Sequence, residues 1–448
     1  KDKPVYRVTL SALTNNAIRA AFDTPRPLDM RQIEAHMTRR IIERLVNWGV
    51  NMQLERTLGF RTGLTWDGMV ALRLIAERER AIAAHLPHTT SRVTVMLAHD
   101  GVAFAADVLN ASGAPLSLRN AEQAEQLAAL LRWGNFRVVE TARTLERSSA
   151  PGALTLHSLI ERAERDLGLS PDRALSLVAT LYDAGWITHP DGDIPASLND
   201  TARTHIRHEY GTDYLNADAK VNIGIAPADM TRFPEDLPGD GSALYGLVWR
   251  HFIADHMTAA VDRLTGVRMQ VGGAGEKSYP LMVRAAVRQS YFDGWRRALS
   301  AGGVEDGMSL PALRDGDDLE RVAVTVTEGH TTPPLRLTRA GLVGGLTGMG
   351  LSVENAVTAV DGLLTAGYLS GDDALTLTES GHTLADALAA AFDDLTSPAY
   401  AADLHTEIAH IASGERERLD VLRAFWSAHG AVLRPAARPL VLRPAGEE

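Results

Sequence analysis

The sequence predicts a multidomain α+β chain in which helical and strand-rich stretches alternate, and three observations carry that expectation. Apolar residues recur at three- and four-residue spacing over residues 28–86, 153–186 and much of 338–429, as helices with one buried face require. Shorter segments within 91–146 and 267–327 alternate apolar with polar residues or break at glycine-rich turns, as strands do. The 448 residues, 45% hydrophobic and 23% charged, have ordinary globular composition and suffice for two to four domains.

Taken in order, residues 28–86 predict two amphipathic helices joined by a loop at 59–63. Residues 91–146 predict a small sheet with one helix at 120–133. Two more helices follow over 153–186, the second opened by Ser170-Pro171-Asp172, a serine cap with proline in the first turn. The stretch THPDGDIPASLND is turn-rich, residues 201–214 and 241–262 are again helical, and 267–327 is mostly strand. Helices return over 338–367 and 380–429. Helix, strand, helix, strand, helix is an odd order for domains completed one after another. It predicts that the chain leaves a domain and later returns to it.

Composition narrows the function. Cysteine is absent, which excludes disulfides, thiolate nucleophiles and cysteine-ligated metals. No apolar run approaches the ~20 residues of a membrane span, and the N-terminus lacks the order of a signal peptide, so a soluble cytoplasmic protein without membrane partners is expected. The chain opens on Lys1 rather than methionine, leaving room for material upstream. A net charge of −11 argues against a surface that grips nucleic acid everywhere, because Lys and Arg supply most non-specific affinity. Arginine nevertheless gathers locally, at Arg39-Arg40, at Arg73 with Arg78 and Arg80, and at Arg296-Arg297, so a local basic groove is compatible with the total.

Three stretches carry a family resemblance: VYRVTLSALTNNAIRAAFDTPRPLDMRQIEAHMTRRIIERLVNWGV with the later VALRLIAERERAI; LTLHSLIERAERDLGLSPDRALSLVATLYDAGWIT; and ALYGLVWRHFIADHMTAA through TTPPLRLTRAGLV to ALTLTESGHTLADAL. In order and spacing they resemble type IA DNA topoisomerases over nearly the whole chain. The resemblance implies a padlock-shaped, toroidal body with a helical base and a strand-rich arch. Residues 1–27 would connect from a Toprim domain upstream of Lys1. Residues 28–86 with 337–429 would form the base, 87–149 with 267–336 the arch, 150–266 the arch tip that bears the catalytic tyrosine in the family, and 430–448 a Pro/Arg-rich tail.

At the motif positions the polar residues of the family are replaced. After Gly185-Trp186-Ile187-Thr188 the nucleophilic tyrosine position holds His189, and the arginine position two residues on holds Asp191. The His-Glu-Ala-Ile-Arg-Pro block corresponds to Asn222-Ile223-Gly224-Ile225-Ala226-Pro227. An arginine and a glutamine that help hold DNA correspond to Trp66 and Gly68. A Gly-x-Gly block followed by Arg-Pro-Ser-Thr-Tyr corresponds to Gly348-Met349-Gly350 and then Leu351. The Asn-Glu-Ile-Thr of relatives is Ser11-Ala12-Leu13-Thr14. A phenolate leaves reversibly and so stores the phosphodiester for religation, whereas Asp191 would repel the phosphate where a cation should stabilise it. The magnesium carboxylates would lie in the Toprim domain.

These replacements lead to the expectation of a non-catalytic relative, not an enzyme. It would bind DNA, single strands preferred, in an architectural role, through arginine–phosphate contacts and stacking on Trp66, Trp186 and Trp295. Arg39, Arg40, Arg44 and Arg73 are the arginine candidates, although pairing of Arg39, Arg40 and Arg44 with Glu34 or Glu43 on the same helix is equally open. A protein-interaction scaffold and an enzyme using unfamiliar residues are the rivals. No metal or cofactor is expected: His205 with His208, and His405 with His410 near Glu407, lack evident third ligands. The glycine-rich 271–275 stretch is expected to be a turn rather than a nucleotide loop, Thr331–Pro334 a linker between arch and base, and the end, LRPAARPLVLRPAGEE, either a phosphate-binding tail or disordered.

Overall fold

The computed structural model describes residues 4–110, 113–272, 278–299, 310–371 and 373–434. In chain order the elements are β1 (Tyr6–Arg7), α1 (Asn15–Asp23), β2 (Arg26–Pro27), α2 (Met30–Leu58), α3 (Trp66–Ala83), β3 (Thr89–His99), β4 (Val102–Val108), β5 (Ser117–Leu118), α4 (Ala121–Arg132) and β6 (Asn135–Ser148). There follow α5 (Leu156–Leu167), α6 (Pro171–Asp183), α7 (Ala196–Glu209), α8 (Gly239–Asp255), β7 (Ala260–Gly272), β8 (Ser278–Phe292) and β9 (Asp318–His330). The chain closes with α9 (Arg339–Gly348), α10 (Val353–Thr365), β10 (Leu369–Ser370), β11 (Thr376–Leu377), α11 (Glu379–Thr396), α12 (Pro398–Ser413) and α13 (Arg418–Leu433).

Local chemistry fixes the helix ends. Asp29 caps α2 by accepting from the amides of Arg31 and Gln32, and Gly59 ends it at φ 78°, a conformation that costs glycine nothing. Thr155 and Ser158 form a reciprocal capping box on α5. Ser170 precedes α6 as the sequence predicts, but its side chain makes no capping bond.

All strand pairings of the large sheet are antiparallel, in the order β4-β8-β7-β6-β9-β3-β5. Because β3 also pairs with β4, six strands close on themselves as a barrel, with β5 on the rim. The closure is short at two seams, Asp107–Val108 against β8 and Phe136–Arg137 against β9. Inside lie Val93, Val95, Phe104, Phe136, Met269 and Val283, with Ala124, Ala128 and Leu131 of α4 against them. The β6–β7–β8 ladder runs on well past that core, to Ser148, Ala260 and Phe292.

The helices share a second apolar core that joins residues far apart in sequence. α2 packs on α12 and α13, and α3 packs on α10 and α11. Ile42, Val46, Leu72 and Ile75 thus meet Leu384, Leu388 and Ile411 in one cluster, which also takes in Leu159, Ile160, Leu244 and Phe252 of α5 and α8. Helix α5 lies on α9, where the Ala340 amide donates to Glu164 Oε1 at 3.0 Å. Between barrel and helices the two linkers are tied together: Thr331 donates its amide to the His88 carbonyl at 3.0 Å, and its hydroxyl accepts from the His88 amide at 3.0 Å.

Helix α1 lies in a stretch for which the sequence predicted no element, and three other helices differ from the expected bounds by more than three residues. Helix α7 begins at Ala196 rather than 201, within what looked like turn, because Leu198 and Ala202 reach the core. Helix α8 stops at Asp255 instead of 262, and β7 takes over at Ala260. Helix α13 extends to Leu433, so residues 430–433 are helix and not tail. Residues 273–275 of the glycine-rich stretch and tail residues 435–448 lie outside the described residues.

Candidate functional site

Three of the replaced motif blocks meet in space. Thr188 donates its amide to the Ala226 carbonyl and its hydroxyl to the Gly224 carbonyl at 3.0 Å, and its hydroxyl accepts from the Ala226 amide at 2.9 Å. The backbone bridges Ile187–Pro227 and Asp193–Ile223 continue that contact. The third block joins through the His189 amide, which donates to the Ser11 carbonyl at 2.7 Å. Gly185, at φ 69°, lies where a β-carbon would come within 3.0 Å of the Leu13 carbonyl oxygen, so only glycine lets the first segment pass this close.

Beside this junction opens a cleft of ≈ 500 Å³, lined among others by Ser11, Thr14, Asn16, Thr188, Ser197 and Asp229. Two helices begin on it. Thr14 caps α1 by accepting from the Ala17 amide, while α7 starts after Pro195 with no side-chain cap and with its Leu198 amide donating to the Pro195 carbonyl at 3.0 Å. His189, next in the chain to Thr188 of the lining, is half-buried and edge-on to the Tyr182 ring at 5.2 Å. Its Nδ1 accepts from the Asp191 amide at 3.2 Å. In the neutral ring the proton therefore sits on Nε2, and His189 presents a hydrogen-bond donor rather than a lone pair. Tyr182 donates its hydroxyl to the Leu10 carbonyl at 3.1 Å, and burial, then the charge of Asp183, pushes that phenol up. Asp229 is held below the usual carboxylate range by hydrogen bonds from Thr231, so the cleft keeps one negative charge among hydroxyls and amides.

The other two replaced blocks meet elsewhere, around His405. Trp66 stacks on its ring at 5.3 Å, and a β-carbon on Gly350 would come within 2.9 Å of His405 Cβ. Burial, helped by the nearby Arg39 charge, pushes His405 down to about 4. Next to Trp66, burial pushes Asp67 up to about 6 against the opposing pull of Arg39, which it meets at 3.1 Å. Leu351 is buried in the same core. Among the described residues no group of three or more His, Asp or Glu side chains converges.

The family model described as DNA topoisomerase matches residues 27–423 of this chain. The chain belongs to the type IA DNA topoisomerase family. DNA topoisomerase 1 of Vibrio cholerae is 28% identical over 447 residues, covering 95% of this chain and 50% of that protein. The namesake of Escherichia coli is 28% identical over 95% of this chain and 51% of its own length, and that of Streptomyces coelicolor 27% identical over 94% and 50%. This topoisomerase-family chain thus spans about half the length of the curated relatives it matches. Full-length topoisomerase I from Thermotoga maritima superposes with a TM-score of 0.80 at 22% identity, over 95% of this chain and 73% of that one, which establishes the fold.

The relatives correct one expectation outright. Proteins that match 94–95% of this chain carry the name of an enzyme, and the expectation of a non-enzyme drawn from the replaced motif residues is withdrawn.

The structure corrects several of the proposed DNA contacts. Trp66 is 1% exposed and its indole N–H donates to the Leu395 carbonyl at 2.9 Å; a stacking platform needs an open face, and this ring has none. Arg73 is 4% exposed and binds Asp393 of α11. Arg39 is engaged by Glu43 and Asp67, the internal pairing left open by the sequence. Trp186 is half-buried between the Tyr245 ring and the Arg232 guanidinium, and Trp295 donates to the Ser148 carbonyl at 2.8 Å. Arg40 and Arg44 are exposed on α2. Asn222 and Ile223 are exposed, the latter to 60%, while Ala226 is fully buried. His205 packs edge-on against Trp249, and His410 lies near Glu407 and Glu415.

Proposed function

We propose that this chain is the strand-handling body of a type IA topoisomerase activity and that it holds single-stranded DNA in the cleft between α1 and α7. The observation that carries this is the convergence of two helix N-termini with Ser11, Thr14, Asn16, Thr188 and Ser197 on one opening. Amides at a helix start and hydroxyls donate to phosphate oxygens without a formal charge, and Asp229, the one carboxylate of the lining, is engaged by the Thr231 amide and hydroxyl. That supports strand binding by a chain of net charge −11, with exposed Arg40 and Arg44 as further phosphate contacts. The division into base, arch and tip, with the boundaries given above, belongs to the same proposal.

A second reading, contact with another protein surface, has its own support. Val5, Tyr6, Phe22, Met30 and Met37 leave large apolar side chains in solvent along the first part of the chain, as interaction surfaces do.

Fluorescence anisotropy with a labelled oligonucleotide, single-stranded or annealed to its complement, tests the first reading. The single strand is expected to bind on the order of tenfold more tightly, and log affinity to fall linearly with log salt. Equal or tighter binding of the duplex would remove the single-strand assignment.

A further inference from the structure

Where β6, β7 and β8 extend beyond the closed barrel, their register gathers arginines on one face. Arg143 stands opposite Thr265, Leu145 opposite Arg263, and Arg147 opposite Val261; Gln289 of β8 stands opposite Arg263. Side chains alternate across a strand, so Arg143, Arg147, Arg263 and Gln289 point to the same side. Nearer the closure that side carries Val267, Met269 and Val271, which the core covers. On the extension it is open: the three arginines are exposed, as are Leu145 and Tyr291.

The two faces of this extension differ in charge balance. On the opposite side Arg268 pairs with Glu140 at 2.9 Å, and Arg288 pairs with Glu146 and Asp262. Among the described residues neither Arg143, Arg147 nor Arg263 has a carboxylate partner; Arg263 instead lies over the Tyr291 ring at 4.9 Å from its centroid. An acidic chain thus keeps a patch of uncompensated guanidinium groups beside an exposed aromatic ring.

We propose that this β6–β7–β8 face is a binding platform for single-stranded DNA, separate from the α1–α7 cleft, with Arg143, Arg147 and Arg263 on phosphates and a base on Tyr291. It rests on the reading that the chain binds single strands. Arg143 and Arg147 are four residues apart on one strand, about 13 Å at the rise of extended backbone, with Arg263 on the neighbouring strand between them. A backbone crossing β6 and β7 meets all three. A duplex keeps its base faces stacked, so only a single strand can use the Tyr291 ring. A purely acidic peptide such as polyglutamate would satisfy the arginines but has no flat face to stack on the ring.

The test compares the wild-type chain with Arg143→Ala/Arg147→Ala/Arg263→Ala and with Tyr291→Ala, by anisotropy of labelled oligo-dT across a salt series. Each lost phosphate contact lowers the slope of log affinity against log salt by about 0.7 for single strands, so the triple variant is expected to lose about 2 from its slope. Tyr291→Ala is expected to weaken binding roughly fivefold or more with the slope kept, as loss of one stacked base does. All four side chains lie outside the cores, and circular dichroism checks the fold. Photocrosslinking of 5-iododeoxyuridine DNA to the unmutated chain, with the adduct expected at Tyr291, gives a readout independent of the variants. An unchanged slope in a triple variant that still binds, or displacement of DNA by polyglutamate of equal charge as readily as by unlabelled oligo-dT, would overturn the platform. A wild-type chain that fails to bind oligo-dT at all would overturn the single-strand reading itself and the platform with it.

Discussion

Asp255 and His251 form a buried pair one helical turn apart on α8, with 3.8 Å between Oδ2 and Nε2. His251 Nε2 donates to the Gly152 carbonyl at 2.8 Å. Burial pushes His251 down to about 4 and Asp255 up to about 8, so both are neutral near pH 7. Between about 4 and 6.5 the unfolded chain holds more protons on the histidine, and stability from it rises with pH. Over roughly 4 to 8 the folded chain holds more protons on the aspartate, and stability from it falls. The two oppose each other below 6.5, and the net loss falls between about 6.5 and 8, of order 2 kcal/mol at about 1.36 kcal/mol per pH unit for one proton. Asp255→Asn removes the ionisation. Its Tm relative to wild type is therefore predicted to rise from pH 6.5 to 8.5, as differential scanning fluorimetry would show; a difference that stays flat or falls counts against the buried-acid account. Neither residue was legible as special in the sequence, because a His and an Asp four apart on a helix usually sit in solvent. Arg73 was more legible than its assignment as a DNA contact suggests. Its neighbours Ala71, Leu72, Ile75 and Ala76 are all buried, and an arginine inside so apolar a run is expected to be buried with them, reaching out to a carboxylate at the surface as Arg73 does to Asp393.

At the scale of elements, the helices were largely readable because their apolar spacing and caps agree. The two helices expected in 28–86 are α2 and α3, and those in 153–186 are α5 and α6. Misreadings fell where tertiary contacts decide. The start of α7 follows a proline and a run of small polar residues, which resemble a turn until Leu198 finds the core. Barrel closure was hidden because it depends on two short seams between strands distant in sequence. The convergence of Ser11–Thr14, Thr188–His189 and Asn222–Pro227 could be expected only from the resemblance, since spacing along the chain contains nothing that joins them. The seam between α2 and α13 has its own test. A β-carbon on Gly49 would come within 2.7 Å of the Leu433 carbonyl oxygen, a backbone atom that cannot swing aside. Gly49→Val is therefore predicted to cost about 1–3 kcal/mol through overpacking and to speed proteolysis near α13. Chemical denaturation and limited digestion check this, and wild-type stability with an unchanged digest would show that the two helices do not touch as described.

For the whole molecule, one apolar core spans α2 and α3 from early in the chain, α5, α6 and α8 from its middle, and α9 to α13 from its end. The sequence anticipated such returns of the chain from the odd order of its segments. What it could not show was which surfaces the returns leave open, since that depends on packing between segments hundreds of residues apart. The cleft between α1 and α7 is one such surface and carries the functional proposal. Hydrogen–deuterium exchange with and without saturating oligo-dT tests it most directly. Slower exchange is expected, with DNA bound, in the amides at the starts of α1 and α7, in Ser11–Thr14 and around His189. Bound DNA that leaves all of these unprotected, while protecting other parts of the chain, would contradict it.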